Sequence, residues 1–175
     1  MDITLLEGYG YKIDILSRVP KQKCKDLVVV QGGDDALNRV ALSCHFVDIL
    51  LDPHLGNRKD FMHQRNSGLN HVLCALAKEH NVAIGFSFSS ILRAQHREKL
   101  LGRIMQNILL CRKYKIPMVI GSFAKNPWEV RNEKDQQAFF QVLGMTGKEV
   151  QMDFVDKRLD YKKRFVQKGV MLAHS

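Results

Sequence analysis

The sequence predicts an α/β fold built on a mostly parallel sheet. Short continuous apolar runs recur along the chain, stretches with helical spacing fill the intervals, and the two alternate. That alternation is what β-α-β units produce when they stack into a parallel sheet. The chain has 175 residues, 45% of them hydrophobic, enough for one domain with a substantial core. No low-complexity linker divides it, so residues 1–175 read as a single domain.

Taken in order, Ile3–Leu6 is a short strand candidate at one end. Leu27–Val30 is a continuous apolar run, preceded by Lys25-Asp26 and closed by Gln31-Gly32-Gly33-Asp34. Such a run fits a strand buried on both faces, as strands are in parallel sheets. Gly32-Gly33 then makes a tight turn, with Asp34 as the N-cap of a helix. Val47–Leu51, closed by Asp52-Pro53, is the next strand. Leu69, Val72, Leu73 and Leu76 follow i, i+3, i+4, i+7 and predict a helix, with Ser67 as its N-cap and Asn70-His71 in its first turn. Val82–Phe88 is a third strand, and Leu101, Ile104, Met105 and Ile108 mark a second helical stripe. Pro117–Gly121 is a fourth strand. Ala138, Phe139, Val142 and Leu143 form a shorter stripe stopped by Gly144. Thr146 and Glu149 have the spacing of a capping box, so a basic helical segment is expected over about 146–168. A last, weak strand candidate lies at Gly169–Ala173. Right-handed crossovers wind such units into an open doubly wound sheet or a barrel.

Charge and composition narrow the function classes. The chain carries 27 Lys and Arg against 18 Asp and Glu, a net charge of +9, which favours polyanionic partners such as nucleic acid or an anionic membrane surface. No apolar run approaches the roughly 18 residues of a spanning helix. Met1-Asp2-Ile3-Thr4 has an acid and no basic leader, against a secretory signal. Cys24, Cys44, Cys74 and Cys111 form no Cys-x-x-Cys pair and read as reduced core thiols of a cytosolic protein. There is neither a dinucleotide-binding glycine motif nor a Walker loop.

Loops after the strands build the working face of a barrel. Here they carry Gln31, Asp34 and Asp35; Asp52 and His54; Ser87, Ser89 and Ser90; and Ser122. Asp52-Pro53-His54 is the most suggestive, since a carboxylate and an imidazole at a strand end can hold a divalent metal. A hydrolytic site needs three or more protein ligands, however, and the remaining histidines are scattered. The competing reading is a loop in which Asp52 caps and Pro53 turns the chain. His71 sits in a helix rather than at a strand end, which makes Asn70-His71 scaffold rather than a catalytic fragment.

The basic residues are better organised. Arg93, Arg97, Lys99 and Arg103 accompany one amphipathic helix, and Arg112, Lys113 and Lys115, with Tyr114 between them, close it. Lys157-Arg158 and Lys162-Lys163-Arg164 bracket Tyr161. Such clusters serve as phosphate contacts or as solvated charged faces, and cations in a last helical turn also complement the helix dipole.

Several stretches together resemble a known family. They are Val28–Asp34 with Asn38-Arg39, Val47–Leu50, Ser67–Leu73, Asn81–Ile84 with Phe86-Ser87, Cys111–Pro117, and Trp128–Arg131 with Gly144 beyond. Their order and spacing, over about Leu27 to Val150, resemble archaeal ribonuclease P protein component 3, the counterpart of the thirty-kilodalton subunit of the eukaryotic enzyme. The resemblance implies a TIM-barrel-like (β/α) fold related to metal-dependent phosphoesterases of the polymerase-and-histidinol-phosphatase type. It implies a cytoplasmic subunit of a ribonucleoprotein whose RNA, with magnesium bound to it, removes the 5′ leader of precursor tRNA. This chain would then scaffold the catalytic RNA, with no cofactor and no catalytic residue of its own. Its partners would be the ribonuclease P RNA, a small ferredoxin-like protein subunit, other ribonuclease P proteins and the precursor tRNA, with no membrane.

On that reading Arg93, Arg97, Arg112, Lys113, Lys115, Arg131, Lys162, Lys163 and Arg164 are the candidate RNA- or partner-binding residues. The segment ahead of Leu27 has room for about one βα unit, so the barrel is expected to be incomplete at its N-terminal side. The absence of a long tail points to an archaeal source. The alternative is a metal-dependent phosphoesterase using Asp52 and His54.

Overall fold

The computed structural model describes residues 2–8, 11–22, 24, 26–150, 153–167 and 170–171. In chain order the elements are β1 (Ile3–Thr4), β2 (Tyr11–Lys12), β3 (Ile15–Leu16), β4 (Val29–Gln31), α1 (Asp35–Leu42), β5 (Ile49–Leu51), α2 (His71–Glu79), β6 (Ala83–Ser87), α3 (Phe88–Arg93), α4 (Arg97–Tyr114), β7 (Met118–Gly121), a 3-10 turn (Pro127–Glu129), α5 (Glu133–Val142), α6 (Asp153–Lys163), β8 (Phe165–Gln167) and β9 (Val170–Met171).

Strands β3 to β7 form one five-stranded parallel sheet in sequential order. Each crossover therefore advances to the next neighbour without reversing direction. With right-handed connections this puts the helices on one face, which is the winding of a TIM-like barrel rather than of a doubly wound sheet with a switch point.

The pleat divides the core in two, because successive residues of a strand face opposite sides. Val28, Val30, Leu50, Ile84, Phe86 and Ile120 face outward, in one cluster with Leu42 of α1, Leu73 and Ala77 of α2, Ile104 and Ile108 of α4, and Phe140 of α5. Val29, Ile49, Leu51, Ala83 and Val119 face inward, in a second cluster with Ile3, Ile13, Phe123 and Val155. Both faces are apolar because both are covered, which explains the continuous apolar runs.

The barrel is incomplete among the described residues, as expected. What covers the inner face was not foreseen. The Phe123 N–H donates to the Ile3 carbonyl (2.8 Å) and the Leu5 N–H to that of Ala124 (3.3 Å), so β1 lies along the end of β7. β2 pairs in parallel with β1 and leads through Ile13, which belongs to the inner core, to β3 on the opposite edge. Helix α6 adds Val155, with Phe154 and Leu159 against it. Arg158 and Lys162 of α6 reach the buried Asp48 just ahead of β5, Arg158 at 2.6 Å, and Lys162 also donates to the Asp26 carbonyl at 2.6 Å.

The expected helical segment over 146–168 is shorter than read. Glu149 accepts from the Thr146 N–H (2.7 Å), half of a capping box, yet only a turn follows at 147–150. The helix runs Asp153–Lys163, then gives way to an antiparallel β8–β9 pair. Of the strand expected at Gly169–Ala173, Val170–Met171 is present and the rest lies outside the described residues. Cys74 and Cys111 are buried thiols, whereas Cys24 is exposed, contrary to its reading as a core residue. No helix among the described residues is long and apolar enough to cross a membrane.

Candidate functional site: strand-end cluster and basic surface

At the C-terminal ends of β5, β6 and β7 the chain gathers the polar residues expected there. Asp52 takes a positive φ of 48° and turns its carboxyl toward the start of α3. It accepts from the Ser87 N–H (2.9 Å) and the Ser90 hydroxyl (2.5 Å). Ser87 and Ser89 share a hydroxyl–hydroxyl bond of 2.9 Å, and Ser89 is also 3.1 Å from the Phe123 carbonyl. The cap of α3 is Ser87, whose hydroxyl accepts from the Ser90 N–H (3.3 Å), so Asp52 does not cap its own turn, contrary to its loop reading, but holds the cap of α3 in place.

His54 is fully buried and stacks on Phe86 (6.1 Å between centroids, 27° between planes). Neither ring nitrogen has a hydrogen-bond partner, and Nε2 lies 3.8 Å from Asp52 Oδ1. Burial disfavours charge on both groups. It pushes the Asp52 carboxyl up to about 7 against its hydrogen bonds from Ser90 and Ser87. It pulls His54 down to about 3, aided by the positive charge of Arg103 and Arg58. The two are therefore neutral neighbours across mildly acidic pH.

This donor set does not fit a divalent cation. No group of three or more metal-ligating side chains occurs among the described residues, and Asp52 already has both oxygens in protein hydrogen bonds. Among the described residues the cluster therefore gives the phosphoesterase alternative no ligand set.

The segment between β5 and α2 is long, yet it is held by buried polar groups. Asn38 of α1 accepts from the Gly33 N–H (3.1 Å) and donates to the carbonyls of Pro53 (3.1 Å) and Gly68 (3.3 Å). Asn107 of α4 donates to the Ser67 carbonyl (2.9 Å). Arg58, its side chain nearly buried, bonds Asp35 (2.5 Å), Asn66 (3.1 Å) and the Gly33 carbonyl (2.7 Å). Arg103 joins Asp60 (2.8 Å) to the Arg58 carbonyl (2.7 Å). Gly68 has φ +75°, and a Cβ there would stand 1.9 Å from the Pro53 carbonyl oxygen.

The cap of α2 is Asn70, whose side chain accepts from the Leu73 N–H (2.9 Å), and not Ser67. Ser67 is buried behind Gly68, with its hydroxyl unpartnered in the protein. Asn70-His71 is therefore scaffold, a cap followed by the first helical residue.

The basic candidates divide by partner. Arg93 is paired with Glu129 (2.8 Å) and bonds Ser89 (2.8 Å). Arg97 is exposed at the start of α4 and donates to the Leu92 carbonyl (2.8 Å). Arg112 forks onto Glu149 (2.8 and 2.7 Å) and reaches the Gly144 carbonyl. That guanidinium bond holds the Glu149 carboxyl down at about 2. Lys113 is exposed, 5.9 Å from the Tyr114 ring. Lys115 ends α4 in the left-handed conformation, φ 57°. Arg131 is exposed and donates to the carbonyls of Trp128 and Val130 (both 2.8 Å).

On α6, Lys163 is exposed beside Asp160 (3.5 Å), and Arg164 follows the helix with its N–H on the Asp160 carbonyl (3.4 Å). Lys162 is different. It is 6% exposed and points inward to Asp48 and the Asp26 carbonyl, so its charge serves packing rather than the surface. The residues that organise the long loop, Asn38, Arg58, Arg103 and Asn107, were not among the site candidates. The one local signal was the polar Arg103 and Asn107, four apart beside the apolar stripe of α4.

Comparison with known proteins places this geometry. The family model described as RNase P subunit p30 matches residues 13–156. Ribonuclease P protein component 3 of Thermococcus gammatolerans is 39% identical over 136 residues, covering 77% of this chain and 60% of the relative. That of Methanocaldococcus jannaschii is 37% identical over 125 residues, covering 70% and 50%. The chain thus spans about half to three fifths of the length of these curated relatives. A chain in a cryo-EM structure of archaeal Ribonuclease P with mature tRNA superposes with a TM-score of 0.71 at 30% identity, covering 85% of this chain and 65% of that one. With the family model spanning most of the sequence and relatives this similar, the chain belongs to the RNase P subunit p30 family.

Proposed function

We propose that this chain works as a protein subunit of ribonuclease P, the ribonucleoprotein that removes the 5′ leader of precursor tRNA. The observation that carries this is the match to a chain of an archaeal ribonuclease P solved with mature tRNA. The net charge of +9 supports an RNA-bound role, since cations that displace counterions from phosphates supply affinity without reading sequence.

In this reading the protein scaffolds the catalytic RNA, and the RNA with its magnesium carries the chemistry. The buried strand-end cluster gathers no set of three metal-ligating side chains among the described residues, which supports a chain without catalytic residues of its own. Exposed cations such as Arg97, Lys113, Arg131 and Lys163 are suited to phosphates. A small ferredoxin-like subunit and other ribonuclease P proteins would be its protein partners, and the cytoplasm its compartment.

The test is to purify the tagged protein from its own cells at moderate salt and sequence the bound RNA. Enrichment of the ribonuclease P RNA, with precursor tRNA cleavage in the eluate, is the expected result. A protein recovered free of RNA and carrying stoichiometric zinc or manganese would overturn it.

A further inference from the structure

Outside the strand-end cluster, a groove of about 680 Å³ lies between residues 61–70, the start of α2 and the second half of α4. Its floor is rich in donors. Helix α2 begins at His71, and Asn70 caps only the Leu73 N–H. The first intrahelical bond runs from Cys74 to the Asn70 carbonyl, so the His71 and Val72 amides have no acceptor within the helix. There is no acidic residue in the first turn of α2, which leaves the positive end of the helix dipole uncompensated.

A second observation points the same way. Ser67 lines this groove, is 1% exposed, and its hydroxyl has no protein partner. A buried hydroxyl left without a partner is costly, and an acceptor seated in the groove relieves that cost. The walls carry Arg39, Arg65 and Lys113. Arg65 leans on Asp60 at 3.3 Å, while Arg39 and Lys113 have no carboxylate within ion-pair distance among the described residues. The groove's acid, Asp35, is occupied by Arg58. Phe61 on the rim is 60% exposed, an apolar face of the kind on which unpaired bases stack.

We infer that this groove binds the sugar–phosphate backbone of RNA, seating a phosphate on the His71 and Val72 amides and the Ser67 hydroxyl between the cations of Arg39, Arg65 and Lys113. The inference rests on the RNA-bound reading and adds the place of contact to it. Anion capture at a helix N-terminus needs only amides and a dipole, and the flanking cations extend the footprint to neighbouring phosphates.

The test is the affinity of the full chain for the ribonuclease P RNA across a series of salt concentrations. The groove variant Arg39→Gln with Lys113→Gln is compared with the control Lys78→Gln with Lys134→Gln, which removes the same charge from exposed helix positions. The groove variant is expected to lose about tenfold or more in affinity, and its log–log salt slope to fall by between about 1.4 and 1.8. The control should stay near wild type. Ser67→Ala, which removes no charge, should weaken binding without changing the slope.

Equal behaviour of groove and control variants, in correctly folded protein, overturns the inference and leaves the RNA-bound reading standing. So does a groove variant that keeps its RNA affinity and loses a protein subunit instead. Wild-type protein that does not bind the RNA overturns both.

Discussion

Helices α4 and α6 are both rich in Lys and Arg, yet they use those charges in opposite ways. On α6, Arg158 and Lys162 stand four residues apart, hence on one face, and that face turns inward onto Asp48, which also accepts from the Val28 N–H (2.7 Å). On α4, Arg103 turns inward to Asp60, while Arg97 and Lys113, near its two ends, stay at the surface. The difference is set by what lies opposite rather than by charge density. A buried carboxylate opposite a helix draws cations into the fold, and where none stands opposite they remain available to phosphates.

The comparison can be broken most directly at Asp48. Asp48→Ala leaves Arg158 and the buried Lys162 without their anion, and removing one partner of a buried pair costs about 3–5 kcal/mol. The denaturant midpoint should fall accordingly, and a midpoint within error of wild type would show that α6 is not anchored there.

The long loop beside α4 has its own weak point. Gly68→Ala places a methyl on the Pro53 carbonyl at a positive φ and should cost well over about 1 kcal/mol, again read from the unfolding midpoint. An Ala there that leaves stability unchanged would contradict the loop geometry.

A second buried acid sharpens the contrast, because Asp52 has no Lys or Arg in ion-pair contact and is governed by burial. Its raised pKa favours folding at low pH, an advantage lost as pH climbs from about 4 to about 7. The lowered pKa of His54 acts oppositely, favouring folding above about 6.5 and costing stability as pH falls toward about 3. Between about 4 and 6.5 the two slopes oppose each other. Asp52→Asn removes the falling one, so stability should rise with pH more steeply than in wild type, by up to ~1.4 kcal/mol per pH unit. Parallel pH profiles for variant and wild type would show that Asp52 is not held neutral.

The smallest effect is expected at the exposed neighbour of Lys162. Lys163→Gln should change stability by less than about 0.5 kcal/mol, and its influence, if the outer face of α6 meets RNA, should appear in binding alone. A loss of stability as large as that of Lys162→Gln would erase the distinction between the two lysines.

Much of this architecture was legible in the sequence. Strands β4 to β7 are buried on both faces, so their apolar runs stood out, and Asp34 sits where a helix cap is chemically required. The long apolar stripe of α4 likewise announced itself. What was not legible depends on distant partners. Ser67 looked like the cap of α2 because Leu69 fits the helical spacing, but Leu69 is packed as a loop residue and the chain enters the helix only at Asn70, held by Asn38 and Asn107 from two other helices. The inward turn of Lys162 depends on an aspartate 114 residues away, which no local pattern reveals. The strand candidate at Ile3–Leu6 is present as β1, whereas the two-residue β2 carries too little periodicity to read. The groove escaped notice because its parts, Arg39, residues 61–72 and Lys113, meet only through the fold.

The most direct test of the whole account is reconstitution. Precursor tRNA cleavage is measured with the ribonuclease P RNA and its other proteins, with and without this chain, and with the chain alone. The account predicts that adding the chain raises cleavage by the RNA-containing mixture and that the chain alone cleaves nothing. Cleavage by the isolated chain, abolished by Asp52→Asn or His54→Ala in folded protein, would contradict it.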